Sequence, residues 1–394
     1  MIVISENEVR ANPALLKSTW SNKETFALLP DKISVSKEWL EQHFETLPEN
    51  CRGGCFILLT SGTTGLPKLV VGSRERSEAL AAELHSRQGS ESVRQTISVL
   101  PLAYSYSFVN QWLWSHVHSR DFVLTNGFGE PVSVLKTLAE AREAMVCMVG
   151  VQAPLLLAQA KDRIFPGVVR VHFAGGRFPQ EKMQELTGIF PNATIYNNYG
   201  CAEAMPRLTL RKATDISDGA NVGLPLKGIE ISATEDHAIL FRSPYGAVGV
   251  VEGQEFRAID PEEWIPSGDL GKIEEDGSLK LLGRSSEVFK RHGEKVSLAS
   301  LSSTVAAAWP GQLAFYREQD SSGEEGCVLV LTPLSKMENI RPVLMALRHH
   351  HPRSHWPIRI ETLEELPMLP NGKPDIRQIA SSAGKNEIWR QHIG

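Results

Sequence analysis

The sequence predicts an α/β protein: a large N-terminal domain of mixed and parallel sheets with helices, followed by a small α+β C-terminal domain. Three observations carry this. Val168–Phe173, Pro179–Leu186 and Ala193–Asn197 read as strand, helix and strand, a βαβ unit that joins parallel strands. From Ala238 to Gly283 the texture turns to short strands, with Asp276-Gly277 between Lys272-Ile273 and Leu279–Leu282 as a hairpin signal. After Gly283-Arg284 helix-like and strand-like segments restart as a unit of ordinary domain size. The linker is placed near Ser285-Ser286, dividing 1–285 from 286–394.

Taken in order, residues 1–50 are mixed and weakly patterned. Cys55–Leu59 is an apolar run that reads as a buried strand. Thr60 to Lys68 is a polar, glycine-rich turn, and Leu69–Val71 is again strand-like. From Ser73 to Gln88 the pattern is helical, with Ser73 as N-cap. In the C-terminal part, Leu298–Trp309 and Glu338–Arg348 read as helices. Leu313–Tyr316, Cys327–Leu331 and Pro357–Ile360 read as strands.

Composition excludes several classes. Of 394 residues, 42% are hydrophobic and 22% charged, which fits neither a disordered nor a membrane-embedded chain. A net charge of −5 argues against a nucleic-acid binder, which needs a basic footprint. The opening MIVISENEVR meets Glu6 and Glu8 too soon for a signal peptide, and no apolar run approaches a membrane span. Cys51, Cys55, Cys147, Cys201 and Cys327 are scattered and odd in number, as expected in a reducing cytoplasm. Cys51 and Cys55 can pair or share a metal, but no second pair matches them.

The sharpest local signal is Thr60-Ser61-Gly62-Thr63-Thr64-Gly65-Leu66-Pro67-Lys68. Glycines let a backbone approach an anion, successive N–H groups and hydroxyls cradle phosphate oxygens, and Lys68 adds a point charge. A Walker loop does not fit, because Pro67 precedes Lys68 and Leu69 follows it. A dinucleotide fingerprint does not fit either, because a strand follows and not a helix. A polar surface turn uses the same residues.

Further stretches accompany it in order: Ala174-Gly175-Gly176 after a strand, Asn198-Tyr199-Gly200-Cys201-Ala202-Glu203, Ser267-Gly268-Asp269, Gly283-Arg284 with Lys290 and Gly293, and Leu369-Pro370-Asn371-Gly372-Lys373. Together these resemble the motifs of the adenylate-forming superfamily, which holds acyl-CoA synthetases, adenylation domains and luciferase. The resemblance spans about residues 55–375. It implies ATP and Mg²⁺ as cofactors and a two-step reaction, in which a carboxylic acid becomes an acyl-adenylate and a thiol or amine then takes the acyl group. Coenzyme A or the phosphopantetheine of an acyl carrier protein acting in trans is the implied acceptor.

The same resemblance implies roles. Thr60, Ser61, Gly62, Thr63, Thr64, Gly65 and Lys68 would hold the β- and γ-phosphates. Gly175 and Gly176 would form the adenine-side turn. Tyr199 would stack on adenine with Asn198 at its edge and Gly200 beside it. Glu203 would hold Mg²⁺. Asp269 would accept the ribose hydroxyls with support from Arg284. Lys373 would stabilise charge on the α-phosphate and the attacking carboxylate. Lys290 and Gly293 would lie on the thiol-acceptor face, with Ser286 at the hinge of a mobile C-terminal domain. An ordinary core aromatic at Tyr199, a solvated acid at Glu203, a turn aspartate at Asp269, a surface salt bridge at Arg284, a solvated loop lysine at Lys373 and a charged hairpin at 290–293 are the plainer readings.

Departures bear on the activity. Ala202 stands where the family usually has threonine, Ser286 replaces the hinge acid or lysine, and Tyr104 stands in place of a gate histidine. Tyr104, Ser105 and Tyr106 are read as substrate pocket. They bring no acid to pair with an α-ammonium, so the expected substrate is a carboxylic acid lacking an α-amino group. Tyr104, Tyr106, Phe108, Trp112 and Trp114 either line that pocket or belong to the core. His349-His350-His351 with His355 invites a metal reading, but no acids or cysteines cluster nearby. The phosphate loop begins unusually early, so a shortened N-terminal region is expected. Its neighbours would be covered by residues 1–50, a second copy of the chain or another protein. The leading reading is an acid–thiol ligase of the cytoplasm; the alternatives are an amide-forming ligase and a binding relative without turnover.

Overall fold

The computed structural model describes the chain except residues 32–34, 61–66, 214–218, 321, 333–338, 370–373 and 392–394, and the side chain of Lys37. The chain forms two compact units. The first comprises Met1–Thr234, Leu240–Ser267 and Ile273–Lys280; the second comprises Glu235–Ile239, Gly268–Lys272 and Leu281–Gly394. The fold class is the expected one: a large α/β unit with mixed and parallel sheets, and a smaller α+β unit.

The first unit holds a six-stranded sheet in the order Ile2–Ser5, Phe26–Leu29, Cys55–Thr60, Lys68–Ser73, Gly249–Glu252, Glu255–Ala258. Its first three strands are parallel and the rest antiparallel. The apolar run at Cys55 is a buried strand, as its composition requires. The weakly patterned N-terminus supplies two parallel strands and the helices between them. Four-residue strands with a distant partner leave no period to read.

A second sheet contributes to this unit the strands Asn221–Pro225, Thr209–Lys212, Thr194–Tyr199, Val168–Phe173, Ala144–Met148, Gln95–Ser98 and Asp121–Leu124, in that order. From Thr194–Tyr199 to Asp121–Leu124 every pairing is parallel. Helices Pro131–Ala139, Gln152–Ala160 and Met183–Ile189 cover one face, burying Leu135, Leu156 and Leu186 against Val146, Val171 and Ile195. The helix expected at Pro179–Leu186 begins instead as a 3₁₀ turn, Gln180–Lys182, and becomes α-helical at Met183–Ile189.

Helix Arg74–Arg87 is capped by Ser73, whose hydroxyl accepts the Arg76 N–H. The segment after strand Gln95–Ser98 winds through Ser105–Ser107 into a buried π-helical turn, Phe108–Leu113. Phe108, Trp112 and Trp114 are core residues. Phe108 and Trp112 pack with Trp20, and Phe108 also packs with Phe26 and Phe56 of the first sheet.

The second unit carries a four-stranded sheet, Leu313–Gln319, Glu325–Leu331, Arg359–Thr362, Asn386–Arg390. Helices Leu298–Ala308 and Arg341–His350 bury Leu301, Val305, Val343 and Leu347 on it. The latter helix starts later than expected because Pro342 fixes its first turn. The strand expected at Pro357–Ile360 is shifted to Arg359–Thr362, since proline has no N–H to donate to a ladder.

Candidate functional site

The parallel strands of the first unit end at one side, where ligands of open α/β sheets gather. Gln95–Ser98 leads to the 104–106 segment, Val168–Phe173 to Gly175-Gly176, and Thr194–Tyr199 to Gly200–Glu203. Gly175 has φ +73° and Gly176 φ +154°. Gly200 is required by close approach: a Cβ there would meet the Pro206 carbonyl oxygen at 1.6 Å. This lets the chain fold back, with the Leu208 N–H donating to the Tyr199 carbonyl.

Lys68 opens strand Lys68–Ser73, opposite Thr60. Its ammonium lies 2.8 Å from Glu203 Oε1 and 2.8 Å from Glu252 Oε1. Glu203 sits on the short turn Ala202–Ala204, and Glu252 ends the strand beside Lys68–Ser73. Burial works against the lysine charge, but its hydrogen bonds to both carboxylates outweigh it and hold Lys68 above its ordinary range. Three segments far apart in sequence thus place two acids on one base. Glu252 carried no local signal; only strand pairing brings it there.

Asn198 and Tyr106, assigned separately from the sequence, are brought together. Asn198 Nδ2 donates to Tyr106 Oη at 3.4 Å and lies 3.2 Å from His172 Nδ1. The Arg207 guanidinium carbon lies 5.7 Å from the Tyr106 ring centre. Cys147 lies beside Tyr106 and Arg207, and burial pushes its thiol up to about 12. Arg207 and His172 were not singled out from the sequence, and Cys147 was read only as one of the scattered cysteines. The available signal was an arginine inside the apolar stretch Ala204–Leu208. Tyr104 is half-buried, with burial and the nearby Glu6 pushing its phenol up to about 12; Ser105 follows at the start of the short helix Ser105–Ser107. Tyr199 is buried in its strand.

In the second unit Asp269 is buried and Arg284 Nε lies 3.3 Å from its Oδ1. Ser286 lies in the 3₁₀ turn Ser285–Glu287, where the Ser285 hydroxyl donates to the Gly268 carbonyl. Lys290 and Gly293 belong to the hairpin Val288–Arg291/Glu294–Ser297. Its two turn residues, His292 and Gly293, both have positive φ, the geometry of a tight hairpin. His351 Nε2 lies 2.8 Å from Thr304 Oγ1. Ser61, Gly62, Thr63, Thr64, Gly65 and Lys373 lie outside the described residues.

Among the described residues no three His, Cys, Asp or Glu are grouped to hold a metal. Mg²⁺ does not need such a cage, since it is held by one or two carboxylates with substrate phosphates and waters. Glu203, part-exposed and carrying its second oxygen, fits that role.

The family model described as AMP-binding enzyme matches residues 3–249, more than half of the chain. A salicylyl-CoA synthase / salicylate adenylyltransferase of Streptomyces sp is 24% identical over 348 residues, covering 82% of this chain and 62% of that protein. An L-proline--[L-prolyl-carrier protein] ligase of Streptomyces coelicolor is 30% identical over 243 residues, covering 54% of this chain and 44% of that protein. The chain therefore spans under two thirds of the length of either relative. The solved o-succinylbenzoate coenzyme A synthetase of Bacillus subtilis, in complex with AMP, has the same fold. Its TM-score is 0.72 at 18% identity, covering 95% of this chain and 81% of that one. Motifs, fold and family model agree, and the chain belongs to the AMP-binding enzyme family.

Proposed function

We propose that the protein is an ATP-dependent carboxylic acid ligase that forms an acyl- or aryl-adenylate and then a thioester. The acceptor is coenzyme A or the phosphopantetheine of a carrier protein. The observation that carries this is Lys68 held between Glu203 and Glu252 beside the carboxyl ends of the parallel strands. In the first step a carboxylate oxygen of the acid bonds to the α-phosphorus of ATP. The bond from that phosphorus to the bridging oxygen breaks, and pyrophosphate leaves with the electron pair. In the second step a thiol sulfur bonds to the acyl carbon, AMP leaves with its electron pair, and the thiol proton passes to solvent. Mg²⁺, when bound, neutralises phosphate charge. Lys68 and Thr60 orient the phosphates, Glu203 offers the carboxylate for the metal, Tyr199 stacks on adenine, and Asp269 with Arg284 holds the ribose. Preorganised charge of this kind supplies rate without reorganisation at the moment of reaction.

On this reading residues 1–285 are the adenylation core, and 286–394 are the lid that brings Lys373 to the α-phosphate and later presents Lys290 and Gly293. A substrate lacking an α-amino group is supported by the cation Arg207 beside Tyr106, which would repel an ammonium. A cytoplasmic location is supported by five free cysteines. Among the described residues no helix is long and apolar enough to cross a membrane. The test is pyrophosphate release from ATP and Mg²⁺ with a panel of aryl and aliphatic acids, with and without coenzyme A. Release with an acid and thioester formation with coenzyme A are expected. Release that never yields a thioester points to a carrier or an amine acceptor, and no release with any acid overturns the reading.

A further inference from the structure

Arg207 is 1% exposed, and its Nε and Nη1 are buried with no hydrogen-bond partner. Among the described residues no carboxylate pairs with it. A guanidinium keeps its proton inside a protein, so the charge stays and desolvation leaves it uncompensated. Its neighbours do not supply the missing anion. Burial holds the Tyr106 phenol well above its ordinary range and pushes the Cys147 thiol up to about 12, so both stay protonated at neutral pH. Burial, with the charges of Arg207 and Arg170, keeps His172 neutral.

The rest of the cluster is also under-used. Asn198 Oδ1 and His172 Nε2 are buried without partners, although the other ends of both side chains face each other at 3.2 Å. Buried polar groups of native proteins are nearly always paired with protein or a bound molecule. A water would satisfy donors here but would not balance a full positive charge. Cys147, His172 and Asn198 stand on strands Ala144–Met148, Val168–Phe173 and Thr194–Tyr199, and Tyr106 on the 104–106 segment, the part read above as substrate pocket.

We propose that Arg207, with Asn198, His172 and Tyr106 around it, binds a second carboxylate of the acid, so that the protein activates a dicarboxylic acid. The inference rests on the acid-activating reading. The reacting carboxylate is the wrong partner for Arg207, because it loses its charge on forming the adenylate and would leave the guanidinium uncompensated in the intermediate. A second carboxylate keeps its charge through both steps and offers two oxygens to the unpartnered N–H groups of Arg207.

Matched acids test this: benzoate against isophthalate and terephthalate, and hexanoate against adipate. Each is measured by pyrophosphate release and by calorimetric binding to the protein without ATP. At least one diacid should exceed its monoacid in kcat/KM by about tenfold or more. Arg207→Met should shrink that ratio at least tenfold, and Arg207→Lys should retain part of it. In the absence of acid, Arg207→Met should melt higher than the parent, because an unpaired buried charge has been removed. Equal use of monoacids and diacids by the parent overturns the inference, even where pyrophosphate release sustains the ligase reading. So does an Arg207→Met variant that melts lower and weakens ATP binding as much as diacid binding. Arg207-dependent binding of a diacid with no release from any acid sustains the carboxylate site at Arg207 and overturns activation, and the ligase reading with it.

Discussion

Lys68 Nζ and Glu203 Oε1 stand 2.8 Å apart although 135 residues separate them in sequence. Glu252 lies as close to the same ammonium but is mostly exposed. The two carboxylates should therefore respond differently to neutralisation. Glu203→Gln and Lys68→Met should each lower pyrophosphate release by on the order of 10²-fold, the usual scale for one electrostatic group in a preorganised site. Glu252→Gln, a solvent-screened partner, should change it by about threefold or less. Initial rates at saturating ATP and Mg²⁺ check this.

Gly200 faces backbone and not a movable side chain, so the site cannot adjust to a larger residue there. Gly200→Ala should cost about 3 kcal/mol, the upper range for overpacking. The measure is the denaturant midpoint of the variant against the parent.

His172 gives a pH dependence whose sign is fixed. Its folded pKa lies well below its ordinary value, so the unfolded chain binds the extra proton in that interval. Stability is then fully present above about pH 6.5 and declines as pH falls below it. The melting temperature should drop between pH 7 and 5, and His172→Gln should flatten that slope. A residual slope is expected from His85, His116 and His351, whose pKa values are also lowered by burial.

Lys373→Ala should cripple adenylation and spare thioester formation from a supplied acyl-adenylate. Single-turnover assays of each half-reaction separate the two, and equal loss in both would refute the assigned role.

Much of the fold was legible where the signal is local. Val168–Phe173 is bounded as its apolar run suggests, and Ser73 caps its helix because a hydroxyl there meets an orphan N–H. Asp276-Gly277 turns as its residue types demand, with Gly277 at φ +80°. What stayed hidden depends on distance. Ile2–Ser5 is a strand only because Phe26–Leu29 lies beside it, and Glu252 reaches Lys68 only through a ladder between remote segments. In the site, the glycine and carboxylate motifs announced themselves by type and spacing. Arg207 did not, because a single arginine in a short apolar stretch looks the same whether it is solvated or buried.

Strand Lys68–Ser73 has one neighbour close in sequence, Cys55–Thr60, and another, Gly249–Glu252, that is made far later. At ordinary translation speeds the second neighbour leaves the ribosome on the order of 10–40 seconds after the first. During that interval Leu69, Val70 and Val71, fully buried in the finished protein, sit on an open strand edge. The nascent chain is then at its stickiest just when most of its parallel strands are already made. Expression hosts with ample holding chaperones should give more of the native protein, and truncations ending before residue 249 should aggregate.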